Sequence, residues 1–103
     1  MRSFDVIVAV AVGLAGAATA APAHKLKGGE HAGEATVTLA AARASALKAH
    51  PGKITDEELE KEPGGSGLRY SFDIKAAGKV FEVGVDAKTG AVLENKAEGK
   101  NPD

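Results

Sequence analysis

From Leu68 onward the chain alternates. Leu68, Tyr70, Phe72 and Ile74 are apolar, and Arg69, Ser71, Asp73 and Lys75 between them are polar. A period of two predicts a β-strand with one buried face. After Ala76-Ala77-Gly78-Lys79, the apolar Phe81, Val83 and Val85 alternate with Glu82, Gly84 and Asp86, which predicts a second strand and hence a hairpin. With those four residues as the loop, Ile74 pairs with Phe81, Phe72 with Val83 and Tyr70 with Val85, so every apolar side chain falls on one face. A slip of one residue would set Phe72 opposite Glu82, so this register is strongly preferred. The other face then sets Arg69 against Asp86, Ser71 against Gly84 and Asp73 against Glu82. The first pair attracts. The last sets like charges opposite each other at a cost of up to ~1 kcal/mol, tolerated in solvent or relieved by a cation or a basic partner.

Upstream, the period changes. Thr38 to about His50 is rich in Ala, Leu, Arg and Lys, all strong helix formers. Thr38 is suited to be the N-cap, and Val37 before it can pack on Ala42. Leu39, Ala42, Arg43, Ala46, Leu47 and His50 lie on one side at helical spacing. Alanine stands at the middle of that side, at Ala42 and Ala46, so the helix can approach a sheet closely. Pro51-Gly52 ends it, and His50 reads as an ordinary last-turn residue favoured by the helix dipole. Lys53–Glu62 reads two ways. Thr55-Asp56-Glu57-Glu58 has the form of a capping box, which argues for helix. The stop at Pro51-Gly52 and the long turn Pro63-Gly64-Gly65-Ser66-Gly67 argue instead for a charged strand with Leu59 inward. Asp86-Ala87-Lys88-Thr89-Gly90 is a turn, with Gly90 suited to a left-handed position. Ala91-Val92-Leu93 can form a last short strand. Residues 94–103 read as a disordered tail, and the Gly-rich, period-free residues 24–36 as a flexible lead-in.

The first residues read as an export signal, expected to span 1–23. A short polar start with Arg2 precedes an apolar run from Val6 to Ala18, although Asp5 weakens the positive start. Ala18-Thr19-Ala20 and Ala21-Pro22-Ala23 both fit the small-x-small pattern that signal peptidase accepts. Polarity changes sharply after Ala23, so cleavage is expected between Ala23 and His24, with Ala21 and Ala23 as the small residues and cleavage after Ala20 as the alternative. The apolar run is short for a bilayer span, which takes about 20 residues. An uncleaved anchor is therefore the lesser reading, and no stable membrane anchor is expected after cleavage. The chain has no cysteine, so neither a lipid-bearing thiol nor a disulfide is expected.

Composition narrows the chemistry. Beyond the leader the aromatic residues are Tyr70, Phe72 and Phe81. So thin a supply predicts a modest core, with stability at or below ~5 kcal/mol. The net charge of −1 is unchanged by loss of Arg2 and Asp5, and charges of both signs are interspersed. That excludes the basic patch a nucleic-acid binder needs. His24 and His31 lie near Glu30 and Glu34, but histidines in such a segment read as polar linker residues, and no metal site or cofactor is expected. Asp56, Glu57, Glu58, Glu60 and Glu62 could attract cations, but they lack the spacing of a calcium loop and read as a solvated charged strand. Ser45, Ser66 and Ser71 sit in no nucleophile motif. The chain is therefore expected not to be an enzyme.

Several of these pieces together resemble a known family. They are the helix Thr38-Leu39-x-x-Ala42-x-x-x-Ala46-Leu47, then His50-Pro51-Gly52-Lys53-Ile54, then Tyr70-Ser71-Phe72-Asp73-Ile74. The ending, Phe81-Glu82-Val83-Gly84-Val85-Asp86-Ala87-Lys88-Thr89-Gly90-Ala91-Val92-Leu93, is the strongest. Their order and spacing resemble the PepSY domain over roughly residues 37–93. The resemblance implies an α+β fold, with one N-terminal helix packed on a three- to four-stranded antiparallel sheet, and it favours the strand reading of Lys53–Glu62. PepSY domains occur in propeptides of thermolysin-like metallopeptidases, in spore-envelope and membrane proteins, and as small exported proteins; a peptidase-modulating role has been proposed for the family. The expectation is an exported, periplasmic or secreted binding module with a protein partner, more narrowly a peptidase acted on in trans. Its candidate partner face is Arg69, Ser71, Asp73 and Glu82. The alternative is a periplasmic protein that binds a cation or small ligand.

Overall fold

Alternating side chains place the hairpin at the centre of the molecule. In the computed structural model, which describes residues 25–98, the chain runs β1 (Leu26–Lys27), a 3-10 helix (Gly29–Glu34), α1 (Leu39–Ala49), β2 (Lys53–Lys61), β3 (Leu68–Ala76), β4 (Lys79–Asp86) and β5 (Val92–Ala97). The expected signal peptide and its cleavage residues Ala21, Ala23 and His24 lie outside the described residues. Among the described residues, no helix is long and apolar enough to cross a membrane.

The five strands lie side by side in chain order in one sheet. β3 and β4 pair in the register that the apolar positions require, with Ile74 opposite Phe81, Phe72 opposite Val83 and Tyr70 opposite Val85. The strands run further than the pattern implied, through Ala76 and Lys79. Only Ala77 and Gly78 are left in the turn, at φ 54° and 77°. Positive φ at both central residues matches the right-handed twist of the flanking strands.

The residues read either as helix or as strand, Lys53–Lys61, form β2, antiparallel to β3. The register shifts between Ile54 and Asp56. This one-residue bulge flips the later side chains: Glu57 and Leu59 face inward with Ile54, while Asp56, Glu58 and Glu60 face outward. α1 covers the inner face. The Thr38 hydroxyl caps it by accepting from Ala41 N at 3.1 Å, and Ala42 and Ala46 are fully buried against the sheet. The core beneath is Leu59, Leu68, Tyr70, Phe72, Ile74, Val83 and Val85. Tyr70 is buried with its hydroxyl donating to Val37 O at 2.7 Å.

The α+β class stands, but the sheet is larger than three or four strands and it is mixed. β1 pairs in parallel with β2, Leu26 opposite Glu57 and Lys27 opposite Glu58. Two residues cannot display a period, so this strand left no pattern to read. It is held from outside by the partly buried Leu26 and by Lys27 Nζ, 3.1 Å from Asp56 Oδ2. Gly28 follows at φ 78°, where a Cβ would run into the Leu59 carbonyl, so glycine alone fits. At the other edge β5 continues past Leu93 to Ala97, into residues whose polarity had marked them as tail. Asn95 belongs there because its amide donates to Ala49 O at 3.2 Å, closing the end of α1.

Candidate protein-binding face

Opposite the helix, the sheet's outer face is built from the polar half of each alternation. The loop after β2 divides it. Ser66 donates from N and from Oγ to the Asp86 carboxylate, each at 2.7 Å, while Lys88 N and Thr89 N donate to the same group at 2.8 and 3.1 Å. Asp86 is 1% exposed. Burial alone would push its pKa up, but the hydrogen bonds from Ser66, Lys88 and Thr89 outweigh burial and hold the carboxyl well below the usual range.

Arg69 stands opposite Asp86, as the register requires, yet it binds elsewhere. Its Nη1 lies 3.2 Å from Glu94 Oε1 and its Nη2 donates to Pro63 O at 3.3 Å. It runs over Gly84, where a Cβ would crowd its Nη1 at 3.2 Å. Arg69 is 8% exposed, and its Nε is buried without a hydrogen-bond partner, 4.0 Å from Glu62 Oε1. Of the four residues of the expected partner face, this one is withdrawn beneath the loop.

The other three stay together on the open half. Ser71, Asp73 and Glu82 line a shallow groove of about 180 Å³ with Asp56, Glu58, Glu60 and Glu98. Ser71 Oγ donates to Glu60 Oε2 at 2.8 Å. Asp73 and Glu82 are directly opposite, both half-buried. Asp73 is raised to about 6, first by burial, then by its hydrogen bond with Glu98 and by repulsion from Glu98, Asp56 and Glu82. Glu82 is raised by burial and then by Glu94, Glu98, Glu60 and Glu62.

The five acidic residues of β2 and its end do not act as one cluster. Asp56, Glu58 and Glu60 line the groove. Glu62 turns toward Arg69, and Glu57 points the opposite way, into the core. There its side chain is 0% exposed and bound by Arg43 of α1, with Nε 2.9 Å from Oε1 and Nη2 2.8 Å from Oε2. Sequence reasoning set Arg43 on the helix's sheet-facing side but missed this pair. The signal was available: a cation within an alanine stripe needs an inward carboxylate, and Glu57 becomes inward once the bulge is known.

His31 belongs to the 3-10 helix, with Nε2 3.7 Å from Glu30 and Nδ1 3.6 Å from Glu34, the latter also paired with Lys61 at 3.2 Å. His24 lies outside the described residues. His50 caps α1, stacks on Phe81 with ring centroids 3.8 Å apart, and reaches Asn95 Oδ1 at 3.2 Å. Among the described residues, no group of three or more His, Asp or Glu is placed to hold a metal ion. Ser66 is engaged by Asp86 and Ser71 by Glu60, and among the described residues no histidine lines the groove. The acidic lining suits contact with a cationic or hydrogen-bonding surface.

In comparison with known proteins, the family model described as the peptidase propeptide and YPEB domain, PepSY, matches residues 36–96. No curated protein and no solved structure matches the chain.

Proposed function

Because this chain belongs to the PepSY family, we propose that it is an exported, non-catalytic binding module that engages a peptidase of the cell envelope and restrains it. The observation that carries the reading is the open half of the sheet face opposite α1. There Ser71, Asp73 and Glu82 lie together, and among the described residues no residue of α1 lines the groove with them. A face of that kind can receive a polar, cationic surface of a partner, the charges setting orientation and encounter rate more than affinity. Export rests on the leader: the secreted or periplasmic protein begins at His24, and N-terminal sequencing that finds Met1 instead removes that part of the proposal.

Photo-crosslinkers at Ser71 and Glu82, with Lys48 on the exposed side of α1 as control, test the contact in the cell envelope. A peptidase adduct from the two sheet positions and not from Lys48 is the expected result. Adducts of equal yield at all three, or none, count against it. Peptidase control is measured separately, by adding the mature protein in micromolar excess to envelope metallopeptidase. Unchanged activity ends the narrower claim and leaves the binding role standing.

A second reading, cation or small-ligand binding, draws on Asp73. Its raised carboxyl sits among Asp56, Glu82 and Glu98, and a cation would relieve that repulsion. A melting temperature that does not move in millimolar calcium dismisses it.

A further inference from the structure

β5 is the last strand of the sheet on its side. Glu98 N donates to Val80 O at 2.9 Å across β4. Backbone groups alternate sides along a strand, so those of Lys96 and Glu94 also turn toward β4, and those of Asn95 and Ala97 turn away. Among the described residues, no strand pairs with these outward groups. Val92, at the start of the same strand, is 44% exposed and is the exposed large hydrophobic residue of the described part.

We propose that this edge is a self-association surface: β5 pairs antiparallel with β5 of a second copy about a two-fold axis through Asn95, joining the two sheets into one. The register follows from two requirements. Outward groups must meet outward groups, so Asn95 and Ala97 face odd-numbered residues of the second copy, which leaves axes through single residues. An axis through Glu94 sets Glu94 against Glu94. An axis through Lys96 sets Lys96 against Lys96 and Glu94 against Glu98. The axis through Asn95 sets Glu94 against Lys96, twice, and pairs residues 93–97 of each copy, whereas an axis through Ala97 would set Glu94 and Asn95 against positions beyond the strand.

Cross-strand pairs of opposite charge stabilise a ladder and like charges oppose it. Lysine on an edge ordinarily deters pairing with other strands. Here Lys96 is 3.2 Å from Glu94 within its own strand, and in the paired edge it has a second Glu94 to reach, so the same residue rejects other registers and favours this one. The dimer leaves the groove on the open sheet face uncovered and does not depend on the function proposed for it.

The test uses the full exported chain. Sedimentation across the micromolar range is expected to show a monomer–dimer equilibrium, and K96E, which sets Glu against Glu twice, is expected to weaken it about tenfold. Far-UV circular dichroism checks that K96E folds; if it does not, K96Q takes its place. Because the chain has no cysteine, N95C supplies an independent readout. Residues opposite each other in a hydrogen-bonded pair have Cα atoms about 5.5 Å apart, within disulfide reach. N95C is therefore expected to oxidise to a covalent dimer well ahead of K53C on β2. Support requires both the loss in the Lys96 variant and the selectivity of N95C. A chain that stays monomeric, a dimer indifferent to Lys96, or crosslinking no faster at Asn95 than at Lys53 overturns the proposal.

Discussion

Asp86 ties the turn after β4 to the loop after β2 with a single carboxylate, accepting from Ser66, Lys88 and Thr89 in a site closed to water. Hydrogen bonds to a buried charge are each worth about 1.5–3 kcal/mol. Asp86→Asn keeps one acceptor oxygen and turns the other into a donor facing donors, so it is expected to cost about 3 kcal/mol by urea denaturation at neutral pH. The pH dependence has a definite sign. A carboxyl held low in the folded state adds stability above its unfolded pKa, and that stability drains away as pH falls toward the folded value. The wild type should therefore lose stability below about pH 4, and the Asn variant should lose less over the same range. Asp73 behaves in the opposite sense. Its pKa is raised to about 6, so the folded state takes up the proton first and the ionised form opposes folding above that pH. Asp73→Asn is expected to stabilise the protein by about 1 kcal/mol at pH 8, after allowance for solvent screening of a half-exposed group. At pH 4 the gain should vanish, as thermal melts at the two pH values would show.

At the scale of elements, the helix and the sheet meet through small residues and one buried ion pair. Ala42 and Ala46 let α1 approach the sheet, and Arg43 with Glu57 fastens it to β2. Removing one partner from a buried pair strands the other charge, which costs about 3–5 kcal/mol, whereas replacing both by apolar residues of similar volume is often neutral. Arg43→Met alone is thus expected to destabilise the chain by about 3 kcal/mol, since Arg43 keeps some contact with solvent. Arg43→Met with Glu57→Leu should recover most of that loss. A double-mutant cycle in urea measures the coupling directly. Equal losses in the single and double variants would show that the pair contributes packing and little charge.

The described residues have a small core and three aromatic side chains, and the chain has no cysteine, so the last strand matters more than its polarity implies. β5 supplies Glu94 to the buried Arg69, and Asn95 to His50 and to the end of α1. A chain ended at Leu93, where the apolar pattern stops, leaves Arg69 without that carboxylate and exposes the edge of β4. Against a total stability of about 5 kcal/mol, the loss should abolish cooperative unfolding. Urea titration followed by far-UV circular dichroism would show a broad, low transition where the full chain shows a sharp one.

Periodicity was enough to read the centre of this protein. The alternation from Leu68 to Asp86 carries its own register, because only one pairing buries all the apolar residues. Thr38 and Pro51-Gly52 bound a helix by local backbone chemistry, and these signals in order point to the PepSY family. What depended on distant pairing was not legible. The bulge at Ile54/Asp56 decides which acidic side chains turn inward, and it exists only against β3. β1 is too short to have a period and forms only on β2. Arg69 reads as a solvent-facing strand residue, yet it is buried because the loop around Pro63 and Ser66 folds back over it. Local sequence determines the conformation each segment prefers, but which polar side chains leave water is decided by neighbours that only the folded chain brings together.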